Sequence, residues 1–194
     1  AAYHSINVYP PQLKLQEEYI HSFDPYQRIT PEQVMLADYQ FKTPSADTRV
    51  KQTAGDKPLE IYEWQQGNYL DPQAGQTKVD IRRDTLQQHV QRPTASGNLR
   101  GIQAGHIFTL NNHPSEDANR DWLIIGHQLN ITENPAETRA QQRFNVHTEF
   151  IVQPDTQILR PEPLPKPRAR LQTATVVGPK EREMWTDSYG RIKV

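Results

Sequence analysis

Five side chains with metal-binding or acid–base chemistry crowd into a short stretch of the chain: His106, His113, Glu116, Asp117 and His127. Imidazoles and carboxylates are ligands of hydrolytic metal centres, so metal-assisted hydrolysis is the chemistry to test. The spacing argues against it. There is no His-Glu-x-x-His and no histidine pair at helical spacing; His106 and His127 fall on predicted strands, and His113 precedes Pro114 in a turn. A hairpin loop with polar residues is the simpler reading. The carboxylate pairs Glu17 with Glu18 and Asp80 with Asp84 read as a solvated surface and a helix face. No Gly-x-Ser-x-Gly elbow, P-loop or Gly-x-Gly-x-x-Gly occurs, which leaves acyl transfer and nucleotide binding without a foothold. We therefore expect no catalytic residue, no cofactor site and no metal site.

Composition narrows the classes further. The 194 residues carry 22 basic and 23 acidic side chains, a net charge of -1, which argues against a dedicated nucleic-acid binder. The basic cluster Lys166, Arg168 and Arg170 reads as a linker keeping itself solvated. Zero cysteines exclude disulfide scaffolds, thiolate zinc sites and a cysteine nucleophile. Apolar residues are only 35% and mean hydropathy is -0.85, little for a self-contained core of this length. No apolar run exceeds four residues (34–37 and 122–125), so no stable membrane insertion is expected. The opening Ala-Ala-Tyr-His lacks the regions of a signal peptide, and processing or truncation is expected.

These residues need elements to hold them. Short strands are predicted at 18–23, 33–36 and 59–64, and DYQFKTP at 38–44 reads as a half-buried strand with Tyr39 and Phe41 on one side, ending at Pro44. Residues 45–58 read as a polar loop. One helix is predicted from Lys78 to about Gln91, capped by Thr77 and stopped by Pro93. Three period-2 segments follow, with Ile102, Ala104, Phe108 and Leu110 on one face, then Leu123, Ile125, Leu129 and Ile131, then Phe144, Val146, Phe150 and Val152. They read as antiparallel strands of a half-buried sheet. A ladder of Pro161, Pro163, Pro165 and Pro167 marks a domain boundary. Beyond it, 171–177, 184–185 and 192–194 read as short strands around a turn at 187–190.

The stretch TATVVGPKEREMWTDSYGRIKV at 173–194 closely resembles the hub-to-spike junction of the VgrG (valine-glycine repeat protein G) family of type VI secretion tip proteins. The match runs through Gly178, Pro179, Asp187, Tyr189, Gly190 and Arg191. Upstream and in order, Asp38, Tyr39, Phe41 and Pro44 are similar to the family's Asp-Tyr-Asp-Phe-x-x-Pro. GIQAGHIFTLNNHP at 101–114, with Gly105, Phe108, Leu110, His113 and Pro114, resembles its hub strand pair, and Arg160-Pro161 its Tyr-Arg-Pro linker. Ala104, Leu159 and the Glu181-Arg182 pair depart from the pattern.

The resemblance implies a mainly β fold: an antiparallel, phage-tail-hub-like β-barrel with one short helix, then the first strands of an OB-fold. It implies residues 1–37 as the end of a first hub subdomain or connecting strands, 38–158 as a second barrel subdomain, 159–170 as a proline-rich linker and 171–194 as a truncated OB-fold. By analogy, three copies form a hub that docks on a tube of hemolysin-coregulated (Hcp-type) protein and carries spike-tip and effector proteins. Such a protein is assembled in the bacterial cytoplasm and secreted or delivered into a target cell. At the junction, Gly190 is expected to permit a tight turn, Tyr189 to pack on the barrel wall and Arg191 to pair across strands. The low apolar fraction then fits a slice of a longer protein that is completed by absent segments and sister subunits. A contractile phage tail hub is the alternative in the same class, and an envelope-degrading hydrolase or carbohydrate-binding module the alternative in another.

Overall fold

Period-2 alternation and one capped helix account for the elements of the computed structural model. It describes residues 3–10, 12, 13, 15, 17–56, 59–65, 71–133, 144–162, 164, 170–182 and 185–194. In chain order these are β1 (Ser5–Asn7), β2 (Ile20–Asp24), β3 (Gln33–Ala37), β4 (Val50–Thr53), β5 (Glu60–Trp64), α1 (Pro72–Gln87), β6 (Thr94–Gly97), β7 (Ile107–Asn111), a 3-10 turn at Glu116–Ala118, β8 (Asp121–Glu133) and β9 (Phe144–Pro154). The chain is mainly β with one α-helix, as expected. Contacts divide it into two units, Ala1–Pro161 and Glu162–Val194.

Within the first unit, six strands form a sheet in the order β1-β7-β8-β9-β6-β2. Its two ends approach each other: Val8, just past β1, bridges Ile20 of β2, and the Tyr9 N–H donates to the Ile20 carbonyl at 3.0 Å. The sheet is thereby nearly closed into a barrel, which leaves little backbone unpaired at its edges. β1 and β2, which lie before residue 38, are staves of the same barrel as β6 to β9. The sheet is mixed, because β1 runs parallel to β7.

Inward alternation supplies the barrel core. Phe108 and Leu110 of β7, Trp122 and Ile124 of β8, Phe150 and Val152 of β9, and Ile20 and Phe23 of β2 are buried together. Phe108 meets Phe150 edge-on at 6.0 Å, and Phe23 meets Trp122 at 5.1 Å. Each such ring contributes roughly 1.5–3 kcal/mol by leaving water.

A smaller layer stands beside the barrel in the same unit. β4, β3 and β5 form a sheet in that order, with β5 parallel to β3. Helix α1 covers it, and Val79 packs with Val34, Leu36 and Val50.

Several sequence expectations are corrected here. The helix starts at Pro72, not Lys78, because Asp71 is the cap: its side chain accepts from the Ala74 N–H at 2.8 Å, and Pro72 follows with its φ preset. Thr77 lies inside the helix, its hydroxyl donating to the Gln73 carbonyl. Residues 38–44 are a turn, not a strand. The Thr48 hydroxyl takes the main chain of Asp38 by donating to its carbonyl and accepting its N–H, and the Thr43 N–H closes on the Gln40 carbonyl. Tyr39 and Phe41 are consequently exposed. The loop predicted at 45–58 contains β4, and Ile102 and Ala104 precede the strand that holds Phe108 and Leu110.

On β8 the buried residues are Trp122 and Ile124, one position out of phase with the expected face. The register shift between Ile124 and Gly126 explains this. It turns Leu129 and Ile131 onto the side of Thr148 and Val146, beyond the barrel rim.

In the second unit, the pairing of the strands expected at 171–177 and 192–194 is, among the described residues, one antiparallel bridge, Val177 to Lys193. Leu171, Val176, Ile192 and Val194 are all exposed, so no sheet face is buried to sustain longer pairing. The turn at 187–190 forms, with Gly190 at φ 75°. Met184 and the prolines at 163, 165 and 167 lie outside the described residues.

Candidate assembly surfaces

The hydrolytic cluster does not assemble. Among the described residues no group of three or more histidine, aspartate and glutamate side chains is placed to hold a metal. His113 is instead the knot of the β7–β8 loop. Its N–H donates to Asn119 Oδ1 at 2.8 Å, and Asn119 Nδ2 returns a bond to the His113 carbonyl at 2.9 Å. Its Nδ1 accepts from the Ser115 N–H at 3.1 Å, which leaves Nε2 as the donor towards the Phe23 carbonyl at 3.4 Å. Asn112, at φ 61°, makes the left-handed turn into this loop. Pro114 is exposed at its tip.

Gly105, at φ 85°, turns the chain into β7 and donates to the Ile124 carbonyl at 2.8 Å. His106 follows it with a buried ring nitrogen, Nδ1, that has no hydrogen-bond partner. His127 is exposed on β8.

Arg160 is the motif residue that helix α1 holds. The buried Gln88 at the end of α1 grips its backbone in both directions, and Asp84 accepts from its guanidinium at 3.4 Å. Asp84 also pairs with Arg83 at 2.7 Å. Pro161 is therefore presented from a fixed point on the helix.

In the second unit, the Arg191 carbonyl accepts from the Asp187 N–H at 3.1 Å, which closes the turn. Arg191 also pairs within its own turn, Nε donating to Asp187 Oδ2 at 2.6 Å, and its guanidinium lies 5.5 Å from the Tyr189 ring centroid. Hydrogen bonds from Arg191 hold the Asp187 carboxyl below the ordinary carboxylate range. Tyr189 is half exposed. Gly178 faces Trp185, and Pro179 accepts from the Arg182 N–H at 3.3 Å, with Glu181 at φ 80° between them.

Two surfaces remain that sequence patterning did not single out. The outer parts of β8 and β9 form a ribbon past the barrel rim, with Leu129, Ile131 and Phe144 exposed on one side. The outward face of β2, β6, β9 and β8 carries a groove of about 580 Å³ with Asp24 and Glu149 on its walls. At the rim of this face, burial first and the neighbouring His147 second push His21 below the ordinary imidazole range.

The first unit thus combines a near-closed barrel, a helix that clamps the outgoing chain, and exposed apolar and acidic faces. A family model described as phage tail baseplate hub matches residues 1–135. The chain belongs to the phage tail baseplate hub family. This hub chain is 34% identical over 203 residues to the type VI secretion system spike protein VgrG1a of Pseudomonas aeruginosa, covering 99% of the chain and 31% of that protein. It is 36% identical over 205 residues to VgrG1c of the same species, covering all of the chain and 28% of that protein. The actin cross-linking toxin VgrG1 of Vibrio cholerae is 31% identical over 183 residues, 91% of the chain and 17% of the toxin. The hub chain thus spans about three tenths or less of the length of these relatives. Among solved structures, a tail protein from Neisseria meningitidis has the same fold, with a TM-score of 0.52 at 9% identity, over 79% of this chain and 44% of that one.

Proposed function

We propose that the chain is part of the hub of a type VI secretion spike. The observation that carries this reading is the match along essentially its whole length to VgrG spike proteins. In this reading three copies assemble, the hub docks on a tube of Hcp-type protein, and the unit at Glu162–Val194 leads through the proline-rich connector towards the spike. The assembly forms in the cytoplasm, and the spike with its effectors is delivered into a target cell. The hub chain works through interfaces rather than turnover. Exposed Leu129, Ile131 and Phe144 on the β8–β9 ribbon support it, since a two-stranded ribbon alone is marginal and gains stability when its apolar side is covered.

The test is the mass of the full-length natural protein in solution. A trimer by light scattering, with secretion that depends on a type VI apparatus, supports the proposal; a strict monomer overturns it. A contractile phage tail hub is the second reading, favoured by the family match over residues 1–135. Genomic neighbours separate the two, sheath and effector genes against capsid genes.

A further inference from the structure

The outward groove on β2, β6, β9 and β8 is ordered by strand register. Ser22, Ser96, Glu149 and Gln128 oppose one another in one row across the four strands. Asp24, Thr94, Ile151 and Gly126 form the next. Register irregularities sit on both flanking strands, between Ile20 and Ser22 and between Ile124 and Gly126. Bulges bend and over-twist the strands that carry them, which dishes the face between them. Gly126 deepens the dish, because nothing occupies the space where a Cβ would stand.

The charge in the dish has one sign. Among the described residues no lysine or arginine lines it, while Asp24 and Glu149 both do. The Asp24 carboxylate accepts from the Ser22 hydroxyl at 3.3 Å, and Glu149 meets the exposed His147 at 3.3 Å. Both carboxylates remain exposed to solvent.

Their spacing selects a ligand shape. Asp24 and Glu149 stand two strands and two residues apart, which at sheet spacing is a diagonal of about 12 Å between their backbones. An extended chain sets side chains i and i+4 on one side about 13 Å apart. We propose that this groove docks an extended segment of a partner protein bearing lysine or arginine at i and i+4, with a short uncharged residue at i+2 over Thr94 and Ser96. The site does not depend on the trimeric reading above, because every residue in it comes from one copy.

The test is titration of the isotope-labelled 194-residue chain with the peptide acetyl-Gly-Lys-Val-Thr-Val-Lys-Gly-amide at low salt, read by amide chemical shifts. The expected result is saturable shifts centred on Ser22, Ser96, Gln128 and Glu149, which weaken as salt rises. The Asp24→Asn, Glu149→Gln double variant is expected to bind about five- to tenfold more weakly, the scale of two exposed ion pairs. The same peptide with glutamate in place of lysine should give no shifts. Both substitutions are at exposed positions, and an otherwise unchanged spectrum shows that the fold is intact. Absence of shifts at the groove, equal binding by the double variant, or equal binding of the glutamate peptide would each overturn the proposal.

Discussion

Gln88 and Arg160 hold each other by two hydrogen bonds across 72 residues of chain: Gln88 Nε2 donates to the Arg160 carbonyl at 2.6 Å, and the Arg160 N–H donates to Gln88 Oε1 at 3.1 Å. A side-chain amide here does what a neighbouring strand would do, satisfying both polar groups of one residue. Gln88 is only 2% exposed, so water cannot replace it.

Gln88→Ala should therefore cost about 1–3 kcal/mol, the scale of leaving buried partners unpaired. Urea unfolding checks the size, and hydrogen exchange checks the place, with the Arg160 amide losing protection before the barrel amides do. Asp84→Asn should cost less, because the Arg160 guanidinium it meets is 43% exposed.

Gly97 sits where β6 passes β2, and a Cβ there would collide with the Tyr19 carbonyl oxygen. Gly97→Ala should destabilise by about 2 kcal/mol or more, since backbone rather than a flexible side chain must give way. Gly126→Ala, with open space at the same test, should shift the melting temperature far less. Thermal unfolding of the two variants side by side decides it.

The β7–β8 loop depends on Asn119 and on the left-handed turn at Asn112. Asn119→Ala removes the returning pair of bonds to His113 and should cost about 1–2 kcal/mol. Asn112→Val should cost about 1–3 kcal/mol through backbone strain, whereas Asn112→Gly should be close to neutral. Denaturant midpoints of the three variants give the comparison.

The turn at 187–190 should respond to acid in a defined direction. Asp187 is held below the ordinary carboxylate range by hydrogen bonds from Arg191. Its folded pKa lies below its unfolded one, so the contribution to the turn is present above the ordinary range and is lost as pH falls through the lowered value. Carboxyl carbon shifts followed through acid should show Asp187 titrating below free aspartate. In Arg191→Ala the value should return towards 3.8.

Ile131→Glu on the ribbon tests the assembly. In the full-length natural protein it should shift the population from trimer towards monomer while leaving the barrel's circular dichroism unchanged, because Ile131 is 55% exposed in the single chain. A trimer unaffected by the change would place the contact elsewhere.

The primary structure by itself determined which strands have a dry side. Phe108 with Leu110, and Phe150 with Val152, alternate so regularly that only a strand can bury both, and all four are core residues. It also carried the ordered motifs that pointed to a hub, and the turn chemistry of Asp187 to Gly190, because those depend on neighbours in sequence.

Tertiary structure decided what neighbours cannot. The phase of β8 depends on a bulge at Gly126 that only the pairing with β9 reveals, and that one-residue slip brings Leu129 and Ile131 to the same side of the sheet as the core pair Trp122 and Ile124, where past the barrel rim they are exposed. The end of β3 before Tyr39 was set by the hydroxyl of Thr48, ten residues on. The acidic groove needs Asp24 and Glu149, which lie on strands brought together through β6, and the grip on Arg160 needs a glutamine that local pattern places in solvent. Local alternation and capping follow from short-range sterics and solvation, whereas register, closure and side-chain grips across the chain exist only once distant segments have met.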